Sequence, residues 1–302
     1  MSKYVFAALA ALLMTGSVAQ AATIQLFLEE EFTFDASALA YKPPSAPGDE
    51  GTLFLGSDSE GPGRDGTITK CTLSGGCVDA FETGFGQIGG LAVMGDNLVV
   101  VDTVASQAKV GIFDSAATGD ATPLSTFDAF TRFFDDDPSL GDPDAVYFDA
   151  STNEIVVADE FEARLDFYSL SGDLLRSWDT TSFSDILTEP QGLTRDPITG
   201  NYLIANDTGG TNGAGLLFEV SSNGAVLNTY EFFGTDDRPL VDIEGLSFDS
   251  ANNRLFVAFD QEDTVATFAF TPTVVPLPPA GMFLLAGVAA FGFVRRKRGN
   301  RA

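Results

Sequence analysis

The chain has no histidine among its 302 residues. That absence excludes Ser-His-Asp and Cys-His catalysis, and every metal site that needs imidazole. Its two cysteines are too few for a structural zinc site. Basic side chains are scarce, 16 Lys and Arg against 43 Asp and Glu. The net charge of −27 argues against nucleic acid, whose recognition needs a basic face. What is plentiful is apolar. The chain is 44% hydrophobic and 11% aromatic, with 27 Phe, which is too rich for a disordered polymer. A globular, acidic protein with ample core remains. Any chemistry it performs falls to carboxylates and a hard metal.

Both ends read as targeting segments. Residues 1–21 have the order of a signal peptide: Lys3, an apolar run from Tyr4 to Met14, and the small-residue site Ala19-Gln20-Ala21. Near the other end, residues 280–294 carry no charge and are followed by Arg295-Arg296-Lys297-Arg298. Counted from Leu277 the apolar stretch has 18 residues, slightly short of the roughly 20 that span a membrane. The basic block stays cytoplasmic under the positive-inside rule, which puts the large middle outside. Six of the basic residues and none of the acidic ones lie in these ends, so the exported portion carries −33. The expected organisation is 1–21 signal peptide, 22–272 folded domain, 273–279 Pro-rich linker, 280–294 transmembrane segment and 295–302 cytoplasmic tail.

The C-terminal order resembles a known signal. Val275, Pro276, Leu277 and Pro278, an apolar run, then Arg295, Arg296, Lys297 and Arg298 look like the VPLPA variant of the PEP-CTERM sorting signal. The resemblance covers about 25 residues. It implies an exported protein of a Gram-negative bacterium, recognised by an exosortase-type membrane protease. Pro279 intervenes where the family has Ala directly after the second Pro. A plain single-span anchor is the alternative.

The middle is a repeat. Five segments share a small residue followed by an apolar one, a short strand, a turn, a strongly apolar strand and a further strand. The apolar markers are Leu39, Leu91, Val146, Leu193 and Leu246, spaced 52, 55, 47 and 53 residues apart. A period near 50 without long helical patterning points to an all-β propeller. The expectation is five blades, with six as the alternative. The second strand of each segment is apolar at consecutive positions, as in Leu98-Val99-Val100-Val101, which suits a strand packed on both faces. Thr23–Leu28 precedes the first marker and is expected to supply the outer strand that the fifth segment lacks. Cys71 and Cys77 flank a five-residue turn and, in an exported protein, are expected to be oxidised.

The position just before the small-apolar pair faces the channel in a propeller. It holds Ser37, Gly89, Asp144, Gln191 and Glu244. Asp144, Gln191 and Glu244 are hard oxygen donors suited to Ca²⁺ or Mg²⁺. The pattern resembles gluconolactonase/regucalcin and strictosidine-synthase-like propellers, the SdiA-regulated family, and NHL propellers without activity. The first of these carries metal ligands before the same small-apolar pair. The resemblance implies Glu244 as a ligand, Asp144 beside it, and Gln191 where the family usually has Asn. Asp102, Asp159, Asn206 and Asp260 recur at the end of the second strand and read as turn or cap residues. Asp135, Asp136, Asp137 and Asp142 form an acid-rich loop without EF-hand spacing. The leading functional expectation is an exported, envelope- or matrix-associated binding or scaffold propeller, facing polysaccharide or envelope proteins. The alternative is a metal-dependent lactonase or esterase, with Glu244 or Asp144 activating water.

Overall fold

The computed structural model describes residues 22–56, 66–103, 108–128, 143–207, 210 and 213–272. The signal peptide, the sorting motif, the apolar run and the basic tail lie outside the described residues. So do Asp135, Asp136, Asp137 and Asp142. Among the described residues no helix is long and apolar enough to cross a membrane.

A first strand, β1 (Ala22–Thr33), precedes five antiparallel meanders, counted among the described residues. The first meander is β2 (Ala38–Lys42), β3 (Thr52–Gly56), β4 (Thr67–Cys71) and β5 (Cys77–Glu82). The second is β6 (Ile88–Met94), β7 (Asn97–Asp102), β8 (Lys109–Asp114) and β10 (Ser125–Asp128); the two-residue β9 (Gly119–Asp120) turns back to pair with β5. The third is β11 (Pro143–Asp149), β12 (Glu154–Asp159), β13 (Arg164–Tyr168) and β14 (Leu174–Asp179). The fourth is β15 (Pro190–Arg195), β16 (Tyr202–Asn206), β17 (Leu216–Val220) and β18 (Val226–Phe233). The fifth is β19 (Ile243–Asp249), β20 (Arg254–Phe259) and β21 (Thr264–Ala269). The first strands of the meanders touch in a closed cycle: β2 on β6, β6 on β11, β11 on β15, β15 on β19, and β19 on β2. This is a propeller-like, all-β ring.

The core is divided by the meanders rather than shared by them. Each hydrophobic cluster fills the gap between two neighbours. One lies between the fourth and fifth meanders, one between the third and fourth, and the others continue around the ring. The second strands explain their unbroken apolar runs here. In β7, Leu98 and Val100 face the first meander while Val99 and Val101 face the third. In β12, Ile155 and Val157 face one neighbour while Val156 and Ala158 face the other. Side chains alternate across a strand, so a strand buried on both faces must be apolar at every position.

The small-apolar pair has an equally direct cause. The small member packs against the next first strand at backbone distance. A Cβ on Gly245 would lie 2.9 Å from both Leu39 N and Leu39 Cβ, and 3.0 Å from Ala258 Cβ. One on Gly90 would lie 2.9 Å from Val146 N. The apolar member turns the other way. Leu39, Leu91, Val146, Leu193 and Leu246 each join the cluster shared with the preceding meander.

Ring closure follows the expected logic with a shifted register. The N-terminal strand does complete the fifth meander, but through Leu28–Thr33, which pairs antiparallel with β21. Thr23–Phe27 instead runs parallel to β18 of the fourth meander. A bulge between Leu28 and Glu30 marks the change of partner. One strand therefore bonds to two meanders and leaves neither with an open edge there. Cys71 and Cys77 face each other across β4 and β5 and form a disulfide with Cα atoms 4.1 Å apart. The stapled hairpin packs Leu73 and Cys77 into the same cluster as Phe32 of β1. Its short loop limits the stabilisation to about 2–3 kcal/mol.

Gly245→Val is expected to destabilise the domain by about 2–3 kcal/mol, because the added atoms meet backbone that cannot move aside. Ile198→Ser, at a position 78% exposed, should change the melting temperature little. Thermal unfolding followed by far-UV circular dichroism reads both.

Candidate functional site

Four of the five positions that precede the small-apolar pair share a local device. The ladder between the first two strands slips at Ile88/Gly90, Pro143/Ala145, Pro190/Gly192 and Ile243/Gly245. Gly89, Asp144, Gln191 and Glu244 are the skipped residues. A bulge leaves its extra residue out of the ladder and re-aims it. In the first meander Ser37 lies just before β2, and its hydroxyl donates to Ile88 O at 3.0 Å, fastening the first meander to the second.

The channel is narrow at this level. Asp144, Glu244, Gly89 and the small-apolar pairs enclose about 10 Å³, room for about one water. Leu91, Val146, Leu193 and Leu246 line this constriction and also the wider cavity beyond it. They form an aliphatic collar at the step between the two spaces, each side chain packed into the cluster it shares with the preceding meander.

Asp144 and Glu244 share the constriction, as their positions in the repeat suggest. Gln191 has its Oε1 buried, with no hydrogen-bond partner among the described residues. The tightest carboxylate group has a different membership. Glu244 gathers with Asp242 and Asp260, one oxygen of each lying within 4.8 Å of the others. Sequence reasoning missed Asp242 and read Asp260 as a turn residue. The other three of that set do act as turn and cap residues. Asp102 Oδ1 accepts from Gln87 N at 3.3 Å, Asp159 Oδ1 from Glu162 N at 2.9 Å, and Asn206 Oδ1 from Glu189 N at 2.8 Å. Asp260 N donates to Asp242 O at 3.1 Å, which holds the two residues side by side. Asp242 adopts a left-handed φ of 58°, a conformation that Asp tolerates better than most residues. A signal was present in the sequence: Asp242 lies two residues before Glu244, and Asp260 directly follows the strand β20 that pairs with β19.

The charges around this group are mostly negative, with Arg238 the cation beside Glu262. Burial pushes the Asp207 carboxyl above the ordinary aspartate value, and Glu189 and Glu160 add to the shift. A hydrogen bond with Asp242 opposes it. Burial likewise raises Glu262, with Asp242 adding to the effect and Arg238, whose Nη1 donates to Glu262 Oε1 at 3.2 Å, opposing it. Carboxylates packed this closely repel, and a proton or a cation between them relieves the repulsion. The donor set is all oxygen, with no sulfur or imidazole, and suits a hard cation such as Ca²⁺ or Mg²⁺.

No protein-family model matches the chain, and no curated protein matches it. Solved structures do. Glutaminyl cyclase of Myxococcus xanthus superposes with a TM-score of 0.53 at 11% identity, covering 82% of this chain and 97% of that one. A chain of a nidogen/laminin complex gives a TM-score of 0.47 at 16% identity, covering 69% and 70%. At such identities the cyclase likeness concerns the fold alone, and it agrees with the propeller-like ring described above. The nidogen/laminin likeness, below a TM-score of 0.5, carries no weight.

The raised Asp207 gives a signed expectation. A carboxyl whose folded pKa is raised stabilises the fold below the ordinary aspartate pKa and loses that contribution as pH rises through the folded value. Without divalent cations, Asp207→Asn should therefore raise the melting temperature at pH 7, with the gain vanishing at about pH 3.5. Differential scanning calorimetry in EDTA measures it.

Proposed function

We propose that the chain is an exported, envelope- or matrix-associated propeller of the binding or scaffold class, with five blades and a divalent cation at its acidic mouth. The observation that carries this reading is the carboxylate group of Asp242, Glu244 and Asp260, set by a β-bulge at the end of a closed rigid ring. A rigid ring presents its turns in fixed relation, which suits recognition. A hard cation at the mouth would offset the mutual repulsion of the acids and tie the first strand of the fifth blade to its second.

The ends of the chain fit that role. Val275, Pro276, Leu277 and Pro278, with Arg295, Arg296, Lys297 and Arg298, support delivery through an exosortase-type sorting protease of a Gram-negative bacterium. The disulfide suits an oxidising compartment. Polysaccharide and envelope proteins are the partners within reach of such a surface.

A second reading, a metal-dependent lactonase or esterase, draws on one observation. Asp207 is a carboxyl with a raised pKa, hydrogen-bonded to Asp242 of the cluster. Such a group can exchange a proton with water activated by a metal.

One experiment separates the two. Ca²⁺ at about 100 times its Kd is expected to stabilise the domain by roughly 2.7 kcal/mol, read as a melting shift. The shift should disappear in the Asp242→Asn, Glu244→Gln double variant, and a lactone and ester panel should show no turnover. Turnover that is lost in Glu244→Gln while the fold persists makes the protein a hydrolase instead. Absence of any Ca²⁺ or Mg²⁺ shift removes the cation from the scaffold reading.

A further inference from the structure

Beyond the aliphatic collar, away from the acidic mouth, the channel widens into a funnel of about 400 Å³. That volume lies in the range of small-molecule sites. The funnel is formed by the C-terminal ends of the first strands and the turns that follow them. The half-buried Tyr147, Phe148 and Phe248 line it, together with Ser247, Thr194 and the buried Tyr41, whose ring packs on Phe256.

Among the described residues, two charged side chains also line it, and both are already neutralised. Arg195 Nη1 donates to Asp149 Oδ2 of the neighbouring meander, its Nε donates to Gly200 O at 3.0 Å, and its guanidinium lies 4.9 Å from the centre of the Tyr202 ring. Asp249 accepts from Arg254 Nη2 at 3.1 Å, from Asn252 Nδ2 at 2.7 Å and from Ala251 N at 3.1 Å. An anionic ligand would find no uncommitted cation there, on a protein that carries −27 overall. A cation would find no uncommitted carboxylate.

The Tyr41 hydroxyl donates to Glu50 O at 3.3 Å, but two other hydroxyls are not spent in this way. The Tyr147 hydroxyl makes no hydrogen bond within the protein among the described residues. Ser247 Oγ accepts from Tyr41 N at 3.0 Å, and its own proton has no protein acceptor among the described residues. Rings beside unspent hydroxyls present both an apolar face and hydrogen-bonding groups. That combination matches a ligand with C–H faces and hydroxyl edges and no charge.

We infer that this funnel is a binding site for one or two uncharged sugar residues, such as the end of a neutral polysaccharide. The aromatic rings would stack on the sugar's C–H face, and Tyr147 and Ser247 would hydrogen-bond its hydroxyls. The inference rests on the binding-module reading in that the ligand is held and not turned over. It does not require the cation, because Asp242, Glu244 and Asp260 do not line the funnel.

The test is calorimetric titration of the full chain with cellobiose, maltotriose and N,N′-diacetylchitobiose as neutral probes, and digalacturonate as the charged counterpart. At least one neutral probe should bind, and digalacturonate should not. Tyr147→Phe keeps the ring and should weaken binding about five-fold, the scale of one hydrogen bond. Phe148→Ala should weaken it about tenfold, with circular dichroism showing that the fold persists. Methyl resonances of Leu193 and Leu246 should shift on binding, and EDTA should leave the affinity unchanged. The inference is overturned if no neutral probe binds, if digalacturonate binds better, or if neither variant alters the affinity. Binding that is lost in EDTA and in Asp242→Asn would assign the sugar to the acidic mouth and overturn it equally. Failure here with an intact Ca²⁺ shift leaves the scaffold reading standing. Loss of that shift with sugar binding retained leaves the funnel standing.

Discussion

The ring depends on the contact of one first strand with the next. At Gly245 the neighbouring strand is so close that a single added carbon would sit 2.9 Å from Leu39 N. Five meanders can close a circle only if their inner edges come this near, and a side chain larger than Gly or Ala there would hold them apart. The apolar residue that follows points the opposite way, into the cluster shared with the preceding meander. One dipeptide therefore sets both the spacing of the ring and the lining of its axis. Because interiors pack at crystal-like density, little of this spacing can be absorbed by relaxation.

That constraint is also why the architecture was legible without coordinates. The small-apolar pair, the doubly buried second strand and the period near 50 are each imposed by packing, and packing leaves its mark on residue type at every copy. The register of β1 was less legible. Thr23–Leu28 and Leu28–Thr33 are both extended, half-apolar stretches, and nothing local distinguishes a strand bonded to β18 from one bonded to β21. Partner choice there is decided by geometry across more than 200 residues of sequence. The acidic cluster was half legible. Glu244 stands at a position the repeat marks, whereas Asp242 and Asp260 join it through a β-bulge and a backbone hydrogen bond. A bulge changes where a side chain points without changing which residue types are favoured, so sequence pattern alone passes over it.

The acidity of the chain is distributed with similar economy. Several carboxylates are used internally. Asp149, Asp159, Asp166 and Asp249 are all nearly buried, and each pairs with an arginine. Glu219 is fully buried and accepts from Asn201, Asn228 and Tyr230. Removing one partner of such a pair leaves a buried charge uncompensated, which costs far more than the pair itself contributes. Among the described residues, the arginines are thus largely committed to holding strand ends and neighbouring meanders together. The Arg195–Asp149 pair does this across the boundary between the third and fourth.

With the described arginines paired to carboxylates, the ring is left with two ends of opposite character. At one end, bulges bring Asp144 and Glu244 to an opening that admits about one water, and Glu244 gathers there with Asp242 and Asp260. At the other, the charges are cancelled in place and aromatic rings frame a much larger cavity. The collar of Leu91, Val146, Leu193 and Leu246 is the common wall of both. It exists because the small residue beside each of them brings the strands close together. The same packing rule that closes the ring therefore gives its axis two chemically different ends, one lined by carboxylates and one by aromatic residues and paired charges.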